Sequence, residues 1–160
     1  MEGDPHQDGY YLTSLWASAS SGGVTINSIL KIWDAKNVKE GMNLLGKIET
    51  SWNLLMADKD GNIGYQMSGL MPKRREGVSG FVPLPGWKKE NDWQGFEKPE
   101  DLPRCYNPEC GYFVTSNQDL NEYGNVNPIN IGMGPYRSDR IADLLSGPDN
   151  FTCDDMMKIQ

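Results

Sequence analysis

The clearest hydrophobic pattern in the chain predicts a β-hairpin. Residues 52–57 are apolar apart from Asn53, and apolar residues then alternate with smaller or polar ones over Ile63–Met67. The connecting residues 58–62, Asp-Lys-Asp-Gly-Asn, contain the Asp-Gly pair that is typical of a tight turn between two strands. Because side chains alternate across a strand, Leu54 and Met56 should share one face, and Asn53 should lie on the other.

Helices are predicted on both sides of this hairpin. Apolar residues at i, i+3, i+4 and i+7 favour a helix over 25–33. Asn37, with Glu40 three residues later, is a predicted N-cap for a second helix starting at Val38. A third helix is predicted over 137–145, and Thr152 is a predicted N-cap for a fourth.

The rest of the sequence predicts turns, loops and short strands. Residues 1–9 form a predicted loop, 10–19 a strand and 112–115 a further short strand. The segment 71–110 holds six of the ten prolines, so ordered loops are expected there.

Composition restricts the classes of function that fit. The net charge of -7 comes with no basic stripe, which argues against binding nucleic-acid phosphates. No apolar run approaches the roughly 20 residues that span a bilayer, so no membrane partner is expected. Four residues lie between Cys105 and Cys110, and this spacing leaves both a disulfide and two free thiols open. His6, the single histidine, lies in the predicted N-terminal loop, a poor place for a catalytic triad.

Several short motifs follow one another along the chain. The first is the hairpin segment 53–65, which reads Asn-Leu-Leu-Met-Ala-Asp-Lys-Asp-Gly-Asn-Ile-Gly-Tyr. The motifs that follow it are Gly69, Pro72-Lys73-Arg74, Leu84-Pro85-Gly86-Trp87, Trp93-Gln94-Gly95-Phe96, Tyr106-Asn107-Pro108, Gly111-Tyr112, Asn117, Tyr136-Arg137 and Arg140-Ile141. In this order, the motifs resemble the large chain of penicillin acylases, a family of N-terminal nucleophile hydrolases, and the match is best over 50–146.

This resemblance implies an α+β fold, part of the four-layered αββα arrangement, with antiparallel strands, helices and long ordered loops. It implies that residues 1–160 are a single fragment of the catalytic large-chain domain. The parent would be an amide hydrolase, with the small chain and the remainder of the large chain as partners. The sequence does not determine the compartment; by resemblance, the parent would be periplasmic or secreted, because family members are often exported.

The resemblance also implies site residues. In the family, an N-terminal Ser attacks the amide carbonyl with its own α-amine as base. Asn53 matches the Asn whose side-chain amide donates to the resulting oxyanion. Arg74 matches an Arg near the active site, where it would orient Asn53 or contact the substrate. Arg75 is the alternative if the alignment shifts by one residue.

The nucleophile is expected outside this segment, because Met1 is followed by Glu2 and no family Ser is matched. The isolated chain should therefore be inactive. No cofactor is expected in this segment. The resemblance implies a calcium site in the parent, with most of its ligands outside this segment. Asp58 and Asp60 are candidate ligands, and a hairpin turn is the favoured interpretation of these residues. Two alternatives remain open: a non-catalytic binding domain on this scaffold, and an acylase for acyl-homoserine lactones or glutaryl groups.

Overall fold

The computed structural model describes residues 4–7, 9–128, 131–147 and 150–159. Strands and helices are separated by long ordered loops, which is the α+β class that the sequence predicts. The strands are β1 (Asp4–Gln7), β2 (Tyr10–Leu12), β3 (Asn53–Ala57), β4 (Ile63–Met67) and β5 (Arg104–Tyr106). The α-helices are α1 (Gly23–Lys31), α2 (Val38–Leu45), α3 (Tyr136–Leu145) and α4 (Cys153–Ile159).

A three-stranded antiparallel sheet, in the order β3-β4-β5, is the centre of the structure. Asn53 pairs with Met67 and Leu55 with Tyr65, so the predicted hairpin is confirmed. β5 adds to the other edge of β4 and lies within the segment predicted as loops. It is only three residues long, too short for an alternating pattern to show in the sequence.

One face of the sheet packs against α2. Val38 and Met42 are buried on this helix, and Met56 of β3 faces it from the sheet. The predicted cap is confirmed, because the Asn37 side chain accepts a hydrogen bond from the Glu40 backbone N–H at 3.0 Å. Capping and burial together explain why a helix of eight residues forms here, since a short helix is marginal on its own.

The opposite face of the sheet is covered by the segment 112–123. Tyr65 of β4 stacks on Phe113, with ring centroids 4.5 Å apart, and meets Tyr123 edge to face. The strand predicted over 112–115 is wrong: these residues have no strand pairing, and the segment is held by its aromatic side chains instead. A short apolar segment that packs through a single aromatic side chain, here Phe113, has the same sequence pattern as a short strand.

The hairpin turn is tied to the start of α2 by one carboxylate. Asp58 accepts hydrogen bonds from the backbone N–H groups of Asn62, Asp60 and Val38. These bonds, above all the one from Asn62, hold the pKa of Asp58 below its ordinary value. Among the described residues, no group of three or more His, Cys, Asp or Glu side chains is arranged to hold a metal ion.

The N-terminal predictions need correction. The predicted loop over 1–9 is wrong at Asp4–Gln7, which pairs with Tyr10–Leu12 as a small antiparallel ribbon; residues 1–3 and 8 lie outside the described residues. The strand predicted over 10–19 ends at Leu12, and Ala17–Ser20 form a 3-10 turn. The strand pairing of residues 4–7 therefore prevails over the loop preference of the polar sequence around them.

The predicted helix over 25–33 is confirmed as α1 followed by a 3-10 turn at Ile32–Asp34, but its apolar face is open. Thr25 and Ser28 are the buried residues of α1, and the Thr25 hydroxyl accepts a hydrogen bond from the Glu49 N–H. Large apolar side chains on the other face are exposed; they are Val24, Ile26, Ile29, Leu30 and Trp33.

The two C-terminal helices are confirmed. α3 covers the predicted residues, and Thr152 and Asp155 cap α4 reciprocally, the Thr152 hydroxyl accepting from the Asp155 N–H at 3.2 Å. In the part of the chain that the structure describes, no helix has the length and apolar character required to cross a membrane.

The close contact between α2 and β4 makes Gly64 a critical packing position. A Cβ at this residue would lie 2.4 Å from Val38 Cγ1 and 2.8 Å from Met42 Sδ, both parts of the buried helix face. We expect Gly64→Ala to lower the free energy of unfolding by about 1–3 kcal/mol through overpacking. Thermal and denaturant unfolding of the protein measure this loss.

Gly23→Ala is the matched control, because the same methyl group would meet nothing within 4 Å at the start of α1. Its stability should be unchanged or slightly increased, since Ala favours the helix over Gly. Equal stabilities for the two variants would contradict this packing of α2 on the sheet.

Candidate functional site

A cleft of about 600 Å³ opens beside the first residue of β3. Its walls come from the end of the central sheet, the loop that follows the Phe113 ring, and α3. The lining residues are Ser51, Trp52, Asn53, Tyr65, Met67, Pro103, Thr115, Ser116, Asn117, Leu120, Asn121, Arg137 and Ile141.

Buried Ser68 fixes the backbone that leads into Asn53. Its hydroxyl accepts a hydrogen bond from the Trp52 N–H at 3.2 Å and donates to the Thr50 carbonyl at 2.7 Å. Its own N–H donates to the Trp52 carbonyl at 2.9 Å, and the side chain is fully buried. The backbone of Asn53 is therefore held at a well-fixed strand end.

The carboxamide of Asn53 lies in this cleft with its two ends in different surroundings. Its Oδ1 accepts a hydrogen bond of 2.8 Å from the hydroxyl of Tyr65, a completely buried side chain. Its Nδ2 donates to no other residue in the described ranges, and the side chain is exposed. The amide thus presents a neutral, directional N–H donor to the cleft.

Arg137 of α3 contributes positive charge to the same cleft. Its Nη2 donates to the Ser116 carbonyl and to the Asn117 Oδ1, each at 2.6 Å. Asn117 has a φ of 72°, a left-handed conformation that asparagine tolerates better than most residues. The bend turns the loop so that its oxygens face the guanidinium. Both residues belong to family-like motifs, but sequence reasoning did not single them out as site residues.

Arg74 lies in a neighbouring hollow of about 310 Å³, away from the Asn53 side chain. Ser51 and Met67 line both this hollow and the cleft, so the two adjoin. The Arg74 guanidinium lies over the Trp93 ring, 5.9 Å from its centroid, and its Nη1 donates to the Pro72 carbonyl at 3.4 Å. Partial burial lowers its pKa from the ordinary value, but an arginine stays charged at neutral pH.

Arg75, the alternative to Arg74, points elsewhere. Its Nε donates to the Asn91 Oδ1 at 3.1 Å on an exposed loop. It lines neither the Asn53 cleft nor the adjoining hollow. Of the two arginines, Arg74 thus lines the hollow that adjoins the Asn53 cleft, and no hydrogen bond joins it to Asn53 among the described residues.

The chemistry available in the cleft is that of hydrogen-bond donation. Among the described residues that line it, none is His, Asp, Glu or Lys, so no side chain there can act as a general base at neutral pH. Ser51 and Ser116 consequently have no activating partner. The described lining residues thus offer N–H donors to negative charge, from Asn53 and Arg137.

The cysteines do not add to this site. Cys105, Cys110 and Cys153 are free, so the structure matches the free-thiol alternative for the first two. Burial raises the pKa of the Cys105 thiol, which disfavours the reactive thiolate.

Tyr65 is a third residue of the cleft that the sequence does not single out, besides Asn117 and Arg137. In the sequence it is the last residue of the hairpin motif. In the structure, Asn53 pairs with Met67, and Tyr65 lies two residues from Met67 on the same face. The contact between Asn53 and Tyr65 could be predicted only from the strand register, which an alternating pattern does not fix on its own.

Comparisons with known proteins identify the family and the fold of this chain. The family model for penicillin amidase matches residues 3–160. Acyl-homoserine lactone acylase QuiP of Pseudomonas fluorescens is 33% identical over 124 residues, which are 76% of this chain and 15% of that protein. Penicillin acylase 2 proenzyme of a Pseudomonas species is 33% identical over 109 residues, 67% of this chain and 14% of the relative.

A solved structure gives the same fold. The thermostable penicillin G acylase from Alcaligenes faecalis superposes with a TM-score of 0.73 at 24% identity, covering 89% of this chain and 26% of that one. The chain spans about 15% of the length of the curated relatives it matches. The predicted fold class is therefore confirmed, as part of an N-terminal nucleophile hydrolase fold. By the family match over residues 3–160, the chain belongs to the penicillin amidase family.

Proposed function

We propose that this chain forms the oxyanion-binding part of a longer N-acyl amide hydrolase, with Asn53 as a donor to the oxyanion. The observation that carries the proposal is the Asn53 carboxamide, whose Oδ1 is held by Tyr65 while its Nδ2 faces the cleft. Attack on an amide carbonyl puts negative charge on its oxygen. A neutral N–H fixed beforehand stabilises that charge without having to reorganise during the reaction.

The nucleophile in this proposal is an N-terminal Ser supplied by the remainder of the protein. The absence of a general base among the described lining residues supports this assignment, since neither Ser51 nor Ser116 could be activated there. An N-terminal Ser needs no side-chain base, because its own α-amine takes the proton. The small chain and the remainder of the large chain would complete the site around Asn53.

The proposed substrate class is an N-acyl amide. One relative is named for acyl-homoserine lactones and another for penicillins. Both classes of compound carry an acyl group on a nitrogen that is attached to a ring carbon. What they share is the scissile amide, whose carbonyl oxygen is the atom Asn53 would bind. Arg74 would contact a polar part of the substrate from the adjoining hollow. Its described contacts are with Pro72 and Trp93, so a substrate contact fits better than a role in orienting Asn53.

Replacing the donor should slow the chemical step. In the full-length enzyme we expect Asn53→Ala to lower kcat by about 10²–10³-fold, because one oxyanion donor is lost. Asn53→Asp keeps the shape but replaces the donor with a negative acceptor, so its kcat should fall at least as far. Steady-state kinetics on an N-acyl amide measures both.

Asn43→Ala is the matched control, since Asn43 is an exposed asparagine on α2, outside the cleft. Its kcat and its thermal stability should equal those of the wild type. Wild-type turnover by Asn53→Ala would remove Asn53 from the mechanism.

The 160-residue chain alone should hydrolyse no amide, because the cleft offers stabilisation of charge without a nucleophile and base. Incubation with a phenylacetyl anilide, with and without a serine-directed inhibitor, is the measurement. Release of product that the inhibitor blocks would show that a nucleophile lies within these residues.

Arg74 should affect substrate binding more than turnover. We expect Arg74→Ala to raise KM several-fold for a substrate with a polar or anionic leaving group, with kcat little changed, since uniform binding is lost. Arg75→Ala is the neighbouring control and should leave KM unchanged. The proposal for Arg74 fails if both variants give the same KM.

A further inference from the structure

We propose that Tyr65 is a positioning residue for the reaction, holding the carboxamide of Asn53 so that its N–H end faces the oxyanion. This inference deepens the proposed function and rests on it. Its basis is the 2.8 Å hydrogen bond from the Tyr65 hydroxyl to Asn53 Oδ1.

The ring of Tyr65 is fixed on several sides. It stacks on Phe113 at 4.5 Å with an interplanar angle of 12°, and Tyr123 meets it edge to face at 6.4 Å. Phe113 and Tyr123 also contact each other, with centroids 5.2 Å apart. The side chain has no exposed surface, so the hydroxyl is delivered to one point at the edge of the cleft.

Sheet register brings this hydroxyl to Asn53. Asn53 pairs with Met67 and Leu55 with Tyr65, so Asn53 and Tyr65 are diagonal neighbours on one face of the β3–β4 pair. Long aromatic side chains reach across this diagonal. Both ends of the contact therefore stand on paired strands, which is a more precise support than a loop.

The hydrogen bond discriminates between the two ends of the carboxamide. The Tyr65 hydroxyl donates to Asn53 Oδ1 and to no other acceptor among the described residues. Rotating the amide by a half turn would leave this buried hydroxyl proton without its acceptor, which is costly. It would also aim a carbonyl oxygen at the developing negative charge. Burial raises the pKa of Tyr65 well above its usual range, so the hydroxyl stays protonated and remains a donor.

Tyr106 provides a matched comparison within the same sheet. Its hydroxyl donates to Asn62 Oδ1, also at 2.8 Å, so it forms the same type of bond between a tyrosine and an asparagine. Tyr106 lies on β5 and Asn62 in the hairpin turn, and neither lines the cleft. Removing that bond tests the general effect of losing such a contact.

The experiment compares Tyr65→Phe with Tyr106→Phe in the full-length enzyme, each also combined with Asn53→Ala. Phenylalanine keeps the stacked ring and removes only the hydroxyl. We expect Tyr65→Phe to lower kcat by about 10–100-fold with KM within twofold, because misplacing a reacting group costs rate rather than binding. Tyr106→Phe should keep wild-type kcat. In the Asn53→Ala background, Tyr65→Phe should cause no further loss, since the group it positions is gone.

The outcomes separate this inference from the proposed function. If Asn53→Ala lowers kcat and Tyr65→Phe does not, the positioning role is overturned and the oxyanion role of Asn53 stands. If Tyr65→Phe lowers kcat equally with and without Asn53, the hydroxyl supports the fold and the positioning role is again overturned. Wild-type kcat in Asn53→Ala overturns both proposals.

A second variant keeps the test valid if Tyr65→Phe yields no soluble enzyme. Phe113→Leu retains the Tyr65 hydroxyl but removes the ring on which Tyr65 stacks. We expect a smaller fall of kcat, about threefold to tenfold by the same loss of orientation, and no fall in the Asn53→Ala background. Unchanged kcat in this variant counts against the positioning role.

Discussion

The burial of Tyr65 between the central sheet and the segment 112–123 is the constraint on which the rest of the structure depends. Its ring joins β4 to Phe113 and Tyr123, which have no strand pairing to hold them. The same ring carries a hydroxyl that would be costly to bury without a partner, and Asn53 is that partner. One side chain thus closes the core on this face and sets the edge of the cleft.

The other face of the sheet is built differently, and the difference matters for the site. α2 approaches so closely that Gly64 has no room for a side chain, and Asp58 ties the hairpin turn to the start of the helix. These contacts hold β3 and β4 in place on the sheet face opposite Tyr65. At the end of β3, buried Ser68 fixes the backbone before Asn53, and Tyr65 fixes the Asn53 side chain.

The cleft contains hydrogen-bond donors on two different elements. A rigid sheet end holds a neutral donor, and Arg137 adds charge across the cleft through contacts to uncharged oxygens. None of the described residues that line the cleft is His, Asp, Glu or Lys, and the proposed function accordingly assigns to this cleft the stabilisation of charge. In the proposed function, the nucleophile and the oxyanion donor are far apart in sequence, and folding would have to bring them together.

Local rules in the sequence determined the hairpin, α2, α3 and α4, because turn chemistry, caps and helical spacing act over a few residues. The order of motifs around Asn53 and Arg74 was also enough to predict the family and its fold. Register and packing decided the rest. β5 was too short to show a pattern, Phe113 packed as a ring where a strand was predicted, and α1 buried Thr25 and Ser28 in place of its apolar residues. The partnership of Tyr65 with Asn53 joins residues twelve positions apart, and it exists only because the two strands pair in one register.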